Sequence, residues 1–524
     1  MPRKEKRQND MSKKTGASAG KRKRTWIILL IALLASVLVG GSILLTDHYK
    51  TIEYENYIWE NYSVTVTLNY YDGTRKMITT LINEPVELDT PPEVEGHTFL
   101  GWEDSRGALL QPAMITAAAT EEYTARYIVS LDTVHHVPYL FADEHGFFHA
   151  DDDLTAGDAV RMIWSVLAEH PEPESWYPNI GEDSVYALPA AALKTLGILD
   201  GSRFYPEESI TRGELIRMLA AFFPPAEKDC SFPDVREGSD NYGAFCTAVE
   251  RGWIEGEGRM RPEQQITRID AVRLMNKVLG RDNAPETAEG QIGGMLEYMP
   301  GDAYYLPLAE AAVSHTCSYS GEHEKWDTSE PLETLPEGFT LIGARMYRID
   351  EGGHILRNTE EDGFRFGPDG IYTSGNAELD ALVYEVIDSL YSEGMTREEL
   401  LHELFEYTIS SFTYLRRTYY KYGDTTYAPE AAYVMLSTGK GNCYCYAGTF
   451  CMFARSLGYN AVVYSGSVGR DREPHGWCEI IIDEVPYICD AELMMRRRTS
   501  GGPELDMYMK RYEELRGWTY VRYV

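Results

Sequence analysis

The sequence predicts a multidomain protein: a single transmembrane helix, a small all-β unit, an α-helical repeat region and a C-terminal α+β domain. Three observations predict it. An uncharged apolar run lies near the N-terminus, a threonine-centred frame recurs at fixed spacing, and Cys443, His475 and Asp490 fall on successive helix and strand ends within residues 377–524. A length of 524 residues exceeds one ordinary domain. An apolar share of 44% and an aromatic share of 12% are those of packed globular chains.

Charge divides the chain unevenly. The formal net charge is −33, yet residues 1–24 carry ten Lys and Arg against Glu5 and Asp10, which leaves −41 for the remainder. A body that acidic excludes nucleic acid as a partner bound by general electrostatics. Residues 1–24 read as a cytoplasmic basic tail, and 25–46 as a transmembrane signal-anchor. Trp26 to Leu45 holds no charged residue, and at ~1.5 Å per residue it spans the ~30 Å hydrocarbon core. Lys21-Arg22-Lys23-Arg24 keeps the N-terminus cytoplasmic and sends the body to the extracellular, cell-wall side. A cleaved secretory signal, whose apolar region is usually ~7–15 residues, is the rival. Both expectations place the body outside the cytoplasm.

Residues 62–130 alternate apolar and polar positions in SVTVTLNYY, then meet Asp72-Gly73, a hairpin turn signal. Gly96-His-Thr-Phe-Leu-Gly-Trp102 and the run Tyr123–Tyr127 resemble one extracellular repeat of the Listeria internalin type. A spacer that holds the body off the membrane is what this resemblance implies.

Residues 135–316 carry the repeat. Thr155, Thr211 and Thr267 stand 56 residues apart, in Asp153-Leu-Thr-Ala-Gly-Asp158, Ser209-Ile-Thr-Arg-Gly-Glu214 and Gln265-Ile-Thr-Arg-Ile-Asp270. Each threonine with an acid three residues on reads as a helix cap, followed by apolar residues at helical spacing. Units of this kind bury their faces against neighbours. Capping does not account for Arg212 and Arg268. FYPEESITRGE and MRPEQQITRID resemble S-layer homology repeats. That resemblance implies binding to a cell-wall polymer or peptidoglycan, with Arg212, Arg268, Thr211 and Thr267 as the polymer-binding positions. Guanidinium suits bidentate recognition of acidic groups. Copy one departs from the pattern, because Ala156 replaces the arginine and no clear leading helix precedes it. Residues 296–316 resemble an unpaired leading half that would complete copy one in a closed ring.

Residues 335–376 read as a short β-hairpin linker with turns at Glu351-Gly-Gly353 and Pro368-Asp-Gly370. From Ala377 the pattern is helical: Leu379, Leu382, Val383 and Val386 share a face, and Thr396-Arg-Glu-Glu399 is a capping box. Cys443 opens a stripe of Ala447, Phe450, Ala454 and Leu457 that Gly458 stops, so it sits in a helix's first turn. There the macrodipole and free N–H groups favour a thiolate. His475 begins one strand and Asp490 ends the next. A nucleophile, a base and an orienting acid are the three types acyl transfer needs.

Gly441-Asn-Cys443-Tyr-Cys-Tyr-Ala447, Ala454-Arg-Ser-Leu-Gly458, Val462-Val-Tyr-Ser-Gly466, His475-Gly-Trp477 and Tyr487-Ile-Cys-Asp490 resemble the transglutaminase-like superfamily over residues 377–524. The resemblance implies a papain-like fold with Cys443 as catalytic nucleophile, His475 as general base and Asp490 as orienting acid. A protein or peptide would be the substrate. Cys445 and Val462 depart from residues common in that family. Transglutaminase, amidase or deamidase, and peptidase chemistry stay open, as does an idle wall-attachment or adhesion scaffold. No cofactor and no metal are implied. The competing zinc set, Cys443, Cys445, His475 and Cys478, is disfavoured because helical and strand periodicity point its members apart. A disulfide among Cys445, Cys451, Cys478 and Cys489 stays open.

Overall fold

The computed structural model describes residues 12–523 except 282–283, 322, 418–419, 422, 502–504 and 516, with backbone alone at 12–23 and 323. The expected tail therefore lies outside the described residues over 1–11. Two compact units emerge: Met1–Ser130 with Ala220–Asp229, and Leu131–Leu219 with Cys230–Val524.

The first unit begins with α1 (Ser12–Tyr62). Its segment Arg24–Tyr62 is long and apolar enough to cross a membrane, the mean hydropathy of its most apolar 18-residue window being 2.8. The helix continues past the expected end at 46, because residues 47–62 contain no glycine or proline to stop it. Seven strands follow: β1 (Ser63–Asn69), β2 (Arg75–Leu81), β3 (Pro85–Glu87), β4 (His97–Glu103), β5 (Leu109–Leu110), β6 (Met114–Thr116) and β7 (Glu121–Val129). The main sheet runs β2-β1-β7-β4-β5, with β1 and β7 parallel, and β3 pairs with β6. The predicted Asp72-Gly73 turn joins β1 to β2, where Thr74 N–H donates to Asp72 Oδ1 at 2.9 Å. Val66, Leu68 and Tyr123 bury themselves around Trp102, whose indole N–H donates to Asp89 O at 2.8 Å.

The second unit opens with the repeat region. Its helices are α2 (Ala156–Ser165), α3 (Ala187–Thr195), α4 (Arg212–Ala220), α5 (Tyr242–Glu250), α6 (Arg268–Leu279), the single-turn α7 (Glu289–Ile292) and α8 (Tyr305–Ala312). The three threonines cap α2, α4 and α6, each accepting from the backbone of the acid three residues on. The frames interlock cyclically: Thr155 bridges Ser209, Thr211 bridges Gln265, and Asp153 bridges Thr267. The ring's remaining ties use α8. It packs against α6, and Ala311 O accepts from the amides of Tyr139 and Leu140 in the lead of copy one.

A hairpin that the sequence did not announce follows at once, β8 (Ser314–Ser320) and β9 (His323–Glu330), so the repeat region ends sooner than 316. Two more hairpins are β10 (Gly338–Ile342) with β11 (Arg345–Ile349), and β12 (Thr359–Glu361) with β13 (Phe364–Phe366). The expected turns at 351–353 and 368–370 flank these pairs rather than join their strands.

The C-terminal part contains α9 (Ala377–Leu390), α10 (Arg397–Ser410), β14 (Thr413–Tyr414), α11 (Ala428–Thr438), β15 (Lys440–Gly441), α12 (Cys443–Ser456), β16 (Ala461–Val468), β17 (Glu473–Ile482), β18 (Val485–Cys489), α13 (Ala491–Ser500) and β19 (Tyr520–Arg522). The predicted capping box of Thr396 and Glu399 starts α10. β14 pairs with β15, and an antiparallel sheet runs β18-β17-β16-β19. Buried α12 packs on β16 and β17 and against α11. The chain is thus a mixed α/β multidomain protein with one apolar N-terminal helix.

Candidate active site

α12 starts where Asn442 takes an extended conformation and its side chain accepts from Cys445 N–H. Cys443 is consequently the helix's first residue, at the positive end of its macrodipole. β17 carries His475 opposite Gly466 of β16. β18 delivers Asp490, which caps α13 by accepting from Leu493 N–H at 2.9 Å.

These three side chains meet. His475 Nε2 lies 2.6 Å from Asp490 Oδ2. The Cys443 thiol lies beside the same ring, close enough to favour its protonated form. Burial alone would lower the His475 pKa, but the Asp490 charge and the hydrogen bonds to Asp490 and Cys443 hold it well above its ordinary value. Burial would raise the Asp490 carboxyl; the His475 charge, together with hydrogen bonds from His475, Tyr520 and Leu493, holds it below the usual range. The imidazole is therefore fixed in orientation and tautomer, and it can take a proton from sulfur and return it.

Three features of this neighbourhood escaped sequence reasoning. Tyr520 on β19 donates its hydroxyl to Asp490 Oδ2 at 2.6 Å. Glu492 lies 3.9 Å from His475 Nδ1, and burial pushes its carboxyl up. Glu479 is fully buried and accepts from Trp477 Nε1 at 2.7 Å, from Tyr512 and from Arg522. This network ties β19 to β17.

The competing zinc set does not assemble among the described residues. His475 stacks beside Trp477 on one face of β17, while the Cys478 thiol lies beside Cys451 of α12 on the other. All eight cysteines are free thiols, so the open disulfide expectation resolves that way in this structure.

The four expected polymer-binding residues separate. Thr211 and Thr267 serve as helix caps. Arg268 is engaged inside the chain: its guanidinium donates to Phe148 O at 2.8 Å, to Phe141 O at 3.1 Å and to Asp158, and its side chain is 12% exposed. Arg212 instead lines a pocket of about 370 Å³ with Trp253, Arg259, Asp270, Arg273 and Lys277. The two arginines thus stand in different surroundings. The ring sets each arginine against the acid of a neighbouring frame, and only the Arg268–Asp158 pair closes.

Residues 385–489 match the model of the transglutaminase-like superfamily, and residues 231–272 match that of the S-layer homology domain. The chain carries one domain of each kind. The transglutaminase-like match contains Cys443 and His475 and ends one residue before Asp490; the S-layer homology match covers the third frame. No curated protein matches the sequence. A solved structure from Cytophaga hutchinsonii, described as a candidate cysteine protease, is similar at 13% identity and a TM-score of 0.18. That similarity covers 28% of this chain and 46% of the other, so this chain spans less than half of that protein.

Proposed function

We propose that the chain is a single-pass bacterial cell-surface protein whose transglutaminase-like domain performs cysteine acyl transfer on an amide. What supports this is the pairing of His475 Nε2 with Asp490 Oδ2 at 2.6 Å, with Cys443 beside the same ring at a helix N-terminus. In the proposed reaction, Cys443 Sγ attacks the carbonyl carbon while His475 Nδ1 takes the thiol proton. The C–N bond breaks as that proton passes to the leaving amine, and an acyl-thioester remains. An amine or water then releases the acyl group. The N-terminal helix would hold this site to the membrane, and the repeat frames would hold it to an anionic wall polymer.

A second reading, a catalytically idle attachment module, is favoured by the closure of the site, since Cys443 and His475 are each only 3% exposed. Alkylation by iodoacetamide at neutral pH separates the two. We expect selective labelling of Cys443 that His475→Ala slows at least about tenfold, the loss of one charge-assisted hydrogen bond. An unreactive Cys443 in the folded protein would refute acyl transfer.

A further inference from the structure

We propose that His136, Glu310, His315 and Glu324 form a structural site for one divalent transition-metal ion, with zinc as the best geometric fit. The four residues come from four places: the segment before α2, the C-terminal half of α8, and the two strands of the β8–β9 hairpin. All are buried, at 3, 0, 5 and 7% exposure respectively. The cluster shares no residue with the candidate active site.

Four atoms define the site. His136 Nδ1 lies 2.8 Å from His315 Nε2, 2.9 Å from Glu310 Oε1 and 3.5 Å from Glu324 Oε1. His315 Nε2 lies 3.5 Å from Glu310 Oε1 and 3.3 Å from Glu324 Oε1. Tetrahedral zinc with ligands at ~2.0–2.1 Å sets its ligand atoms about 3.3 Å apart. The five distances scatter around that edge.

Hydrogen bonding, such as that between His315 Nε2 and Glu324 Oε1 at 3.3 Å, accounts for only part of the arrangement. Val313 O, which can only accept, lies 2.9 Å from His315 Nδ1, so that nitrogen carries the proton. In neutral His315 the inward Nε2 is then a bare lone pair, the tautomer that outer partners impose on ligating imidazoles. His136 turns its other nitrogen, Nε2, to the Cys317 thiol at 3.6 Å. At most one proton fits between two ring nitrogens 2.8 Å apart. Both oxygens of Glu310 lack a hydrogen-bond donor at acceptable angles, although the residue is fully buried. Two buried carboxylates call for matching positive charge, and a dication bound by two imidazoles supplies it.

The fold gives such an ion something to hold. A lone two-stranded hairpin is marginal in water, and β8 buries only His315 fully. Trp326 stacks on the His315 ring at 3.8 Å, which fixes the ring plane. With four protein ligands and no exposed position, the site is of the closed, structural kind.

The test uses the full chain purified in detergent without chelator. Elemental analysis should find about one zinc or similar divalent metal per chain, and both His315→Gln and Glu310→Gln should reduce it to about a tenth or less. His475→Ala should retain the metal, which distinguishes this site from the cluster of His475, Asp490 and Glu492. Stripping the wild-type protein should accelerate amide exchange across residues 314–330, and added zinc should reverse this; that arm stands even where a variant fails to fold. Cobalt(II) added to stripped protein should give a visible tetrahedral absorption band. The proposal is overturned if the full chain holds no metal and takes up neither zinc nor cobalt(II), or if His475→Ala alone releases the ion.

Discussion

Asp490 spends both carboxylate oxygens on fixed donors: Oδ1 on Leu493 N–H, Oδ2 on His475 and Tyr520. Glu492, two residues on, spends neither, since both its oxygens lack a donor in a fully enclosed position. The contrast makes a signed prediction. Burial raises the Glu492 carboxyl above its ordinary value. A carboxyl raised on folding costs stability once pH passes its unfolded value of about 4.3, because the unfolded chain ionises more readily. Glu492→Gln removes that cost and keeps the shape. The variant should therefore gain about 1 kcal/mol at neutral pH, the order of one buried unpaired polar group, and the gain should fade below about pH 4. Urea unfolding at pH 4 and pH 7.5 reads both, and a gain at acid pH only would contradict it. His475 carries the opposite sign: its raised value adds stability below about pH 6.5 that is lost as pH climbs through that raised value.

Among the elements, close approach decides where the candidate residues stand. A Cβ at Gly476 would lie 2.6 Å from Tyr444 Cδ1 and 2.9 Å from the Tyr427 hydroxyl. Glycine there lets β17 press against the start of α12, and it thereby sets the distance from His475 to Cys443. Gly476→Ala should cost about 1–3 kcal/mol through overpacking and should slow Cys443 alkylation more than the stability loss accounts for. Alkylation and thermal unfolding measured together check this; a loss of stability with an unchanged alkylation rate would sink it. The helices were legible because their ends are written in side chains, as with Thr396 and Glu399 or with Gly458, which takes φ +72° after α12. The β8–β9 hairpin was not, because its inward positions are His315, Glu324 and Trp326 instead of aliphatics. A period-two pattern with polar residues inside is invisible to a search for alternating hydrophobicity. Tyr520 escaped for a different reason: its partner Asp490 is 30 residues away, and only the sheet brings β19 beside β16.

Across the molecule, the three frames behave as one closed body. The 56-residue spacing and the caps could be read directly, but ring closure could not, since it depends on bridges between residues as distant as Asp153 and Thr267. That closure splits two arginines which occupy equivalent sequence positions. Arg268 fastens copy three to copy one through Asp158 and two carbonyls, while Arg212 stands in a pocket whose lining mixes Arg259, Arg273 and Lys277 with Glu255, Glu257 and Asp270. The two should fail differently. Arg268→Ala strands Asp158, whose side chain is 23% exposed, and leaves two carbonyls without their donor; with water able to reach part of the site, about 2 kcal/mol of stability should be lost. Arg212→Ala should cost less than about 1 kcal/mol in thermal unfolding, since half-buried Arg212 makes no ion pair like that of Arg268 among the described residues. Its capture by purified wall material should nonetheless weaken, and the residual binding should depend less steeply on salt because one screened charge contact is gone. Equal loss of wall capture by both variants at matched folded fraction would show that the pocket around Arg212 is not the polymer's contact.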